Sequence, residues 1–168
     1  MNDAERKAPG MGRRSRRADA VEAAFDARYA EYQYRFVEFL IAHLSDVGRP
    51  FKGDLQAVLV LAVLGQTALH AVRAAAAEGL ASADLPPERV STSASRIADV
   101  TGIPRETVRR KLAKLESRGW IAREADGAVR IAVAEGDVNV RRDLAETDRR
   151  ARRRVAEMFA NLEAIVEA

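Results

Sequence analysis

Five basic side chains crowd ten consecutive positions of this 168-residue chain: Arg105, Arg109, Arg110, Lys111 and Lys114. Guanidinium and ammonium groups at that density suit one kind of chemistry. They neutralise a row of phosphates through charge-assisted hydrogen bonds, and arginine adds a planar fork that matches the guanine edge. Val108, Leu112 and Leu115 recur among them at steps of four and three, which is one face of a helix. Arg105, Glu106, Thr107, Arg109, Arg110, Lys111 and Lys114 are then expected to face outward. Glu106 would repel a phosphate, so it either accepts from a cytosine amino group or pairs with a neighbouring arginine, and the pair is the better reading. A basic helix face can also be merely solvated, and what decides is the set of elements that hold it.

Those elements are legible on both sides. Ser93-Ala-Ser-Arg-Ile-Ala-Asp-Val100 reads as a short helix with Ser93 as N-cap and Ile97, Ala98 and Val100 turned inward. Thr101-Gly102-Ile103 makes the turn, where Gly102 supplies the positive φ that a tight helix–helix corner needs. Pro104 suits the first turn of the following helix, which runs to Arg118 and stops at Gly119. Trp120–Glu124 and Ala128–Val133 flank Ala125-Asp-Gly127 and predict a β-hairpin. Its Arg123 and Arg130 are candidate phosphate contacts. A basic helix held by a shorter one has the dimensions to enter a major groove.

The string from Ser93 to Ile121, Ser-x-x-x-Ile-Ala-x-x-Thr-Gly-Ile-Pro-Arg-Glu-Thr-Val-Arg-Arg-Lys-Leu-x-x-Leu-x-x-Arg-Gly-Trp-Ile, resembles the winged helix-turn-helix of bacterial regulators. In element order, two helices before this block and one after, the chain resembles the MarR family. That resemblance implies a homodimer built by the terminal helices, with two recognition helices on an operator in duplex DNA. The hairpin tip, Glu124-Ala-Asp-Gly127, is shorter than that family's wing.

The flanks predict long helices. From Ala18 to about Val47 an apolar stripe passes through Val21, Phe25, Tyr29, Tyr32 and Phe36. Asp54 begins a second helix, apolar on nearly every side at first and reaching about Glu78, which reads as a central helix buried on most faces. Pro86-Pro87 marks a loop over residues 81–90. The last helix, from about Asn139 to Ala168, carries Val155, Met158, Leu162 and Ile165 in a heptad seam. Phe25, Tyr29, Tyr32 and Phe36 with Val155, Met158, Leu162 and Ile165 are therefore the candidate dimerisation residues. An aromatic small-molecule effector is the alternative use of the aromatic stripe, with packing the better reading.

Charge is uneven although the net value is only +3. Residues 93–133 hold nine basic against five acidic groups and residues 1–19 six against three, whereas residues 20–92 and 134–168 are slightly acidic. Arg13, Arg14, Arg16 and Arg17 suggest a disordered basic arm over residues 1–17, unlike a secretory signal. No cysteine is present, which excludes disulfides and thiolate chemistry and fits a reducing cytoplasm. The apolar run after Leu55 is interrupted by Gly65, Gln66, Thr67, His70 and Arg73, so no membrane span is expected. His43 and His70 have no metal-ligand spacing, and no nucleophile motif, phosphate loop or carboxylate pair stands out, so neither an enzyme nor a cofactor is expected.

The expected fold is all-α with a small β-hairpin wing, a winged helix-turn-helix flanked by N- and C-terminal dimerisation helices. Its parts would be an arm over 1–17, a helical core and dimerisation region over 18–80, the DNA-binding block over 91–133 and a dimerisation helix over 139–168. The expected function is sequence-specific binding of duplex DNA by a cytoplasmic, nucleoid-associated homodimer. The rival is a winged-helix interaction or ligand-sensing module that never touches DNA.

Overall fold

A computed structural model describes residues 11–81, 85–134 and 137–167. They are mostly helical, with small antiparallel hairpins, in the order α1 (Met11–Ala27), α2 (Tyr29–Gly48), α3 (Leu55–Ala77), α4 (Pro87–Val90), α5 (Ala94–Thr101), α6 (Arg105–Glu116), β1 (Ile121–Arg123), β2 (Val129–Ile131), β3 (Val133–Ala134), β4 (Asp137–Val138), α7 (Asn139–Asp143) and α8 (Ala145–Glu167). The chain divides into two compact units. One is Leu44–Arg149, and the other joins the residues up to His43 with those from Arg150.

The Leu44–Arg149 unit is built around α3. Asp54 caps its start, Oδ1 accepting from the Ala57 N–H at 3.1 Å. Val60 and Leu64 are fully buried with Val108, Leu112 and Leu115 of α6 and Ile97 of α5. Each such side chain contributes about 1.5–3 kcal/mol of burial, so α3 is part of the domain that holds the basic helix. The boundary expected between residues 80 and 91 does not exist: α3, α5 and α6 share one apolar layer. Nor is α3 buried on most faces, because Leu55, Leu59, Leu69 and Val72 remain exposed on the side away from that layer. By length and composition α3 is long and apolar enough to cross a membrane, a test that the core helix of a soluble protein also passes.

The corner between α5 and α6 follows its residues closely. Gly102 adopts φ +69° and its N–H donates to the Ala98 carbonyl at 2.8 Å. The Thr101 hydroxyl donates to the Ile97 carbonyl at 2.7 Å and accepts from the Ile103 N–H at 3.3 Å. Pro104 stands at the N-cap of α6, one position before the first turn expected for it, and its carbonyl accepts from the Val108 N–H. Val100, expected inward, is exposed, since the covered arc of α5 runs through Ala94, Ile97, Ala98 and Thr101 and at 100° per residue Val100 falls beyond its edge.

Gly119, at φ +68°, turns α6 into the hairpin, its N–H bonding back to the Glu116 carbonyl and that of Trp120 to Leu115. β1 and β2 pair in the register Ile121↔Ile131 and Arg123↔Val129, around the expected Asp126-Gly127 tip. Thr92 adds a further bridge, exchanging two backbone hydrogen bonds with Val129 at 2.9 and 2.8 Å. A one-residue strand has no period, so no sequence pattern announces it. The C-terminal segment departs from the single helix expected from Asn139. α7 ends at Asp143, before Leu144, and belongs to this unit, since Asn139 donates to the Gly119 carbonyl and the Trp120 indole to Asp143 at 2.8 Å.

The terminal unit holds α1, α2 as far as His43, and α8 from Arg150. Met11–Ala27 is helical, so residues 11–17 of the arm expected over 1–17 are helix rather than disordered, as Arg and Ala are good helix formers; residues 1–10 lie outside the described residues. Arg28 separates α1 from α2 where one helix was expected, its N–H shared between the Ala24 and Phe25 carbonyls. Phe25, Tyr32 and Phe36 stack in succession with centroids 4.6 and 6.0 Å apart. Among the described residues only Ile165 is a buried hydrophobe of this unit, while Tyr29, Phe36, Ile41, Val155 and Phe159 are exposed.

Trp120→Phe keeps the packing against Phe51 but removes the indole donor to Asp143. Urea unfolding should show a loss of about 1–2 kcal/mol, with an unchanged helical circular dichroism spectrum.

Candidate nucleic-acid interface

Helix α6 buries the apolar stripe that its period marks out. Val108, Leu112 and Leu115 are buried, and Arg105, Glu106, Arg109, Arg110 and Lys114 are exposed; Thr107 is half-buried. Glu106 and Arg109 form an i,i+3 ion pair at 3.5 Å, the arrangement preferred from the residues alone. Arg105, Arg110 and Lys114 have no carboxylate within ion-pair distance among the described residues. Ser93 caps α5, its hydroxyl accepting from the Arg96 N–H at 3.1 Å, and it is exposed.

Lys111 is a correction. It was expected on the outer face, but its side chain is only 12% exposed and its Nζ lies 2.6 Å from Asp54 Oδ2. Three positions after Val108, it sits at the margin of the buried stripe, and the acidic cap of α3 draws it inward. Burial alone would raise the Asp54 carboxyl, but the Lys111 hydrogen bond, the Ala57 N–H and the Lys111 and Lys114 charges together hold it below its ordinary value. The pair fastens the start of α3 to α6, and Lys111 is withdrawn from any ligand.

The hairpin cations are also engaged. Arg123 bonds to Glu116 of α6 at 3.1 Å, and Arg130 to Glu124 across the β1–β2 turn. Arg118 lies over the Trp120 ring at 4.5 Å from its centroid and donates to the Pro50 carbonyl at 2.8 Å. Of the nine basic groups in residues 93–133, those without a carboxylate partner are therefore concentrated on α5 and α6. Arg96 joins them: exposed on α5, it was absent from the expected contacts, although the inward turn of its neighbour Ile97 already placed it outside.

The expected dimerisation residues do not behave as one set. Phe25, Tyr29, Tyr32 and Phe36 lie along one side of α1 and α2, with Tyr29 and Phe36 exposed. On α8, Ile165 is buried and Met158 and Leu162 are half-buried, whereas Val155 and Phe159 face out. A groove of about 390 Å³ between α1 and α8 is lined by Val21, Phe25, Phe159, Leu162 and Val166. Among the described residues no three His, Cys, Asp or Glu side chains are grouped to hold a metal ion.

No family model matches this chain, and neither a curated protein nor a solved structure matches it.

The two lysines should separate cleanly in urea unfolding. Lys111→Ala strands the Asp54 carboxylate and should cost about 1–2 kcal/mol, while Lys114→Ala should stay within about 0.5 kcal/mol of the parent. Because the folded Asp54 carboxyl ionises at lower pH than the unfolded one, its contribution is present above the ordinary value of 3.8 and lost as pH falls through the lowered one. The Lys111→Ala deficit should shrink correspondingly below about pH 4.

Proposed function

We propose that this chain is a winged helix-turn-helix regulator, resembling the MarR family in element order, that binds duplex DNA as a homodimer in the cytoplasm. The observation that carries the reading is the exposed basic face of α6. Arg110 and Lys114 stand on the side opposite Val108, Leu112 and Leu115, Arg105 is exposed in the first turn, and no carboxylate among the described residues lies within ion-pair distance of the three. α3, Thr92, α5, α6 and the β1–β2 hairpin follow one another as helix, bridge, helix, helix and wing. A 12-residue helix is about 18 Å long and about 10 Å across, which suits a major groove about 12 Å wide.

The division of labour follows from position along α6. Base contacts in such helices come from the N-terminal turns, which lie deepest. Arg105, Arg109 and Arg110 are the readers, with Thr107 beside them and Glu106 orienting Arg109. Lys114 on α6 and Arg96 with Ser93 on α5 meet phosphates. Arg123 and Arg130 hold the wing through Glu116 and Glu124, so their share in binding is small. The same two ion pairs favour a second reading, in which the domain is an assembly module and the wing a protein contact.

Dimerisation rests on the terminal unit. A pair of helical segments with one buried hydrophobe between them leaves an apolar surface that a second copy would cover. Phe159, 63% exposed at the edge of the α1–α8 groove, is the better probe, since its replacement removes less of the monomer's own packing than replacement of the buried Ile165 would.

Titration of a random duplex with increasing salt tests the main claim. Affinity should fall steeply with salt, Lys114→Ala should lower the slope by about one unit on every duplex, and Arg110→Ala should cost about 1–3 kcal/mol and flatten preference at one or two base pairs of a selected sequence. Absence of binding at low salt would overturn the reading in favour of the assembly module. In sedimentation, Phe159→Asp should shift a parent dimer toward a folded monomer; a parent that is already monomeric at micromolar concentration would refute the dimer.

A further inference from the structure

Helix α3 has two opposite faces. Val60, Leu64, Ala71 and Ala75 are buried on one side. At 100° per residue, Leu55, Leu59, Ala62, Gln66, Leu69 and Arg73 point the other way. This outward set advances by steps of 4-3-4-3-4, the spacing of a helix–helix seam. It is uncovered: Leu59 is 50% and Leu69 66% exposed. Three exposed leucines along one line are a surface that water does not favour.

The pattern of this seam selects its occupant. It is symmetric about position 64. Leu59 and Leu69 lie five residues to either side, Ala62 and Gln66 two, Leu55 and Arg73 nine. An antiparallel second copy of the same helix would therefore meet leucine with leucine twice and seat each Gln66 over a small alanine. The single charge in Leu55–Ala77 is Arg73. Parallel pairing would stack it on its own counterpart, whereas antiparallel pairing holds the two about 27 Å apart, at 1.5 Å for each of eighteen residues.

We propose that the outward face of α3 docks antiparallel on the same face of a second copy, a contact separate from DNA binding and from the terminal helices. The seam is about 30 Å long and one helix, about 10 Å, wide. That footprint is well short of the roughly 800 Å² per partner of a standard interface, so the association is weak and is to be sought at high protein concentration.

Because the natural chain has no cysteine, the register can be read by cross-linking. Full-length Leu59→Cys and Leu69→Cys proteins, each replacing an exposed side chain, are oxidised separately and as an equimolar mixture. A disulfide needs Cα atoms within about 7 Å, and in the antiparallel arrangement two copies of Cys at position 59 stand about 15 Å apart along the axis. The expected result is a disulfide-linked dimer in the mixture and its loss in either protein alone. Cross-linking of each variant with itself would mean a parallel seam and overturn the proposal. No cross-link in any sample would mean that another segment of this chain or a different partner covers the face, and would also overturn it. The mixture is repeated in the Phe159→Asp background, where persistence of the cross-link is expected. Its disappearance there would assign the contact to the terminal-helix dimer and overturn the claim of a separate seam. DNA binding has no part in the readout, so the two readings fail independently.

Discussion

The layer shared by α3, α5, α6 and the β1–β2 hairpin sets the terms for the rest of the Leu44–Arg149 unit. Val60 and Leu64 can be fully buried only if Val108, Leu112 and Leu115 meet them. Once those three face inward, the helical period leaves Arg110 and Lys114 outside, and Arg105 stays exposed as the first residue of the helix. No separate device is needed to display a basic face, because it is the complement of the core. The same layer receives Trp120 and Val129, so the hairpin and its Thr92 bridge are anchored to the helix whose cations they flank.

Electrostatics then sorts the cations. Lys111, Arg118, Arg123 and Arg130 are each drawn to a carboxylate, carbonyl or ring inside the unit, and they tie elements together. The cations left over cluster where a polyanion would meet α5 and α6. Removing a paired cation and removing an unengaged one are therefore different experiments, although all are basic residues within one short stretch of sequence. Charge count alone would treat Lys111 and Lys114 as equals, and the Asp54 carboxylate makes them unlike.

The terminal unit poses the opposite problem. Its helices are long and amphipathic, yet among the described residues they bury one hydrophobe, and Phe25, Tyr32 and Phe36 stack along one side. Helices in water draw most of their stability from packing an apolar face rather than from propensity. A second copy supplies that packing in the homodimer proposed here, and the exposed line along α3 adds another surface of the same kind.

What could be read from the residues was local. Asp54 and Ser93 as caps, Gly102 in the left-handed turn, Gly119 as a stop, the Asp126-Gly127 tip and the buried stripe of α6 all depend on neighbours a few positions away, so spacing determined them. What required the tertiary structure was pairing across distance. That Lys111 would meet Asp54, that Trp120 would donate to Asp143, and that Thr92 would bridge Val129 depends on segments 23 to 57 residues apart, which no period records. The domain boundary fell in the same gap. An apolar helix shows that it must be covered, but not by which partner, and for α3 the partner on its inner side proved to be α6.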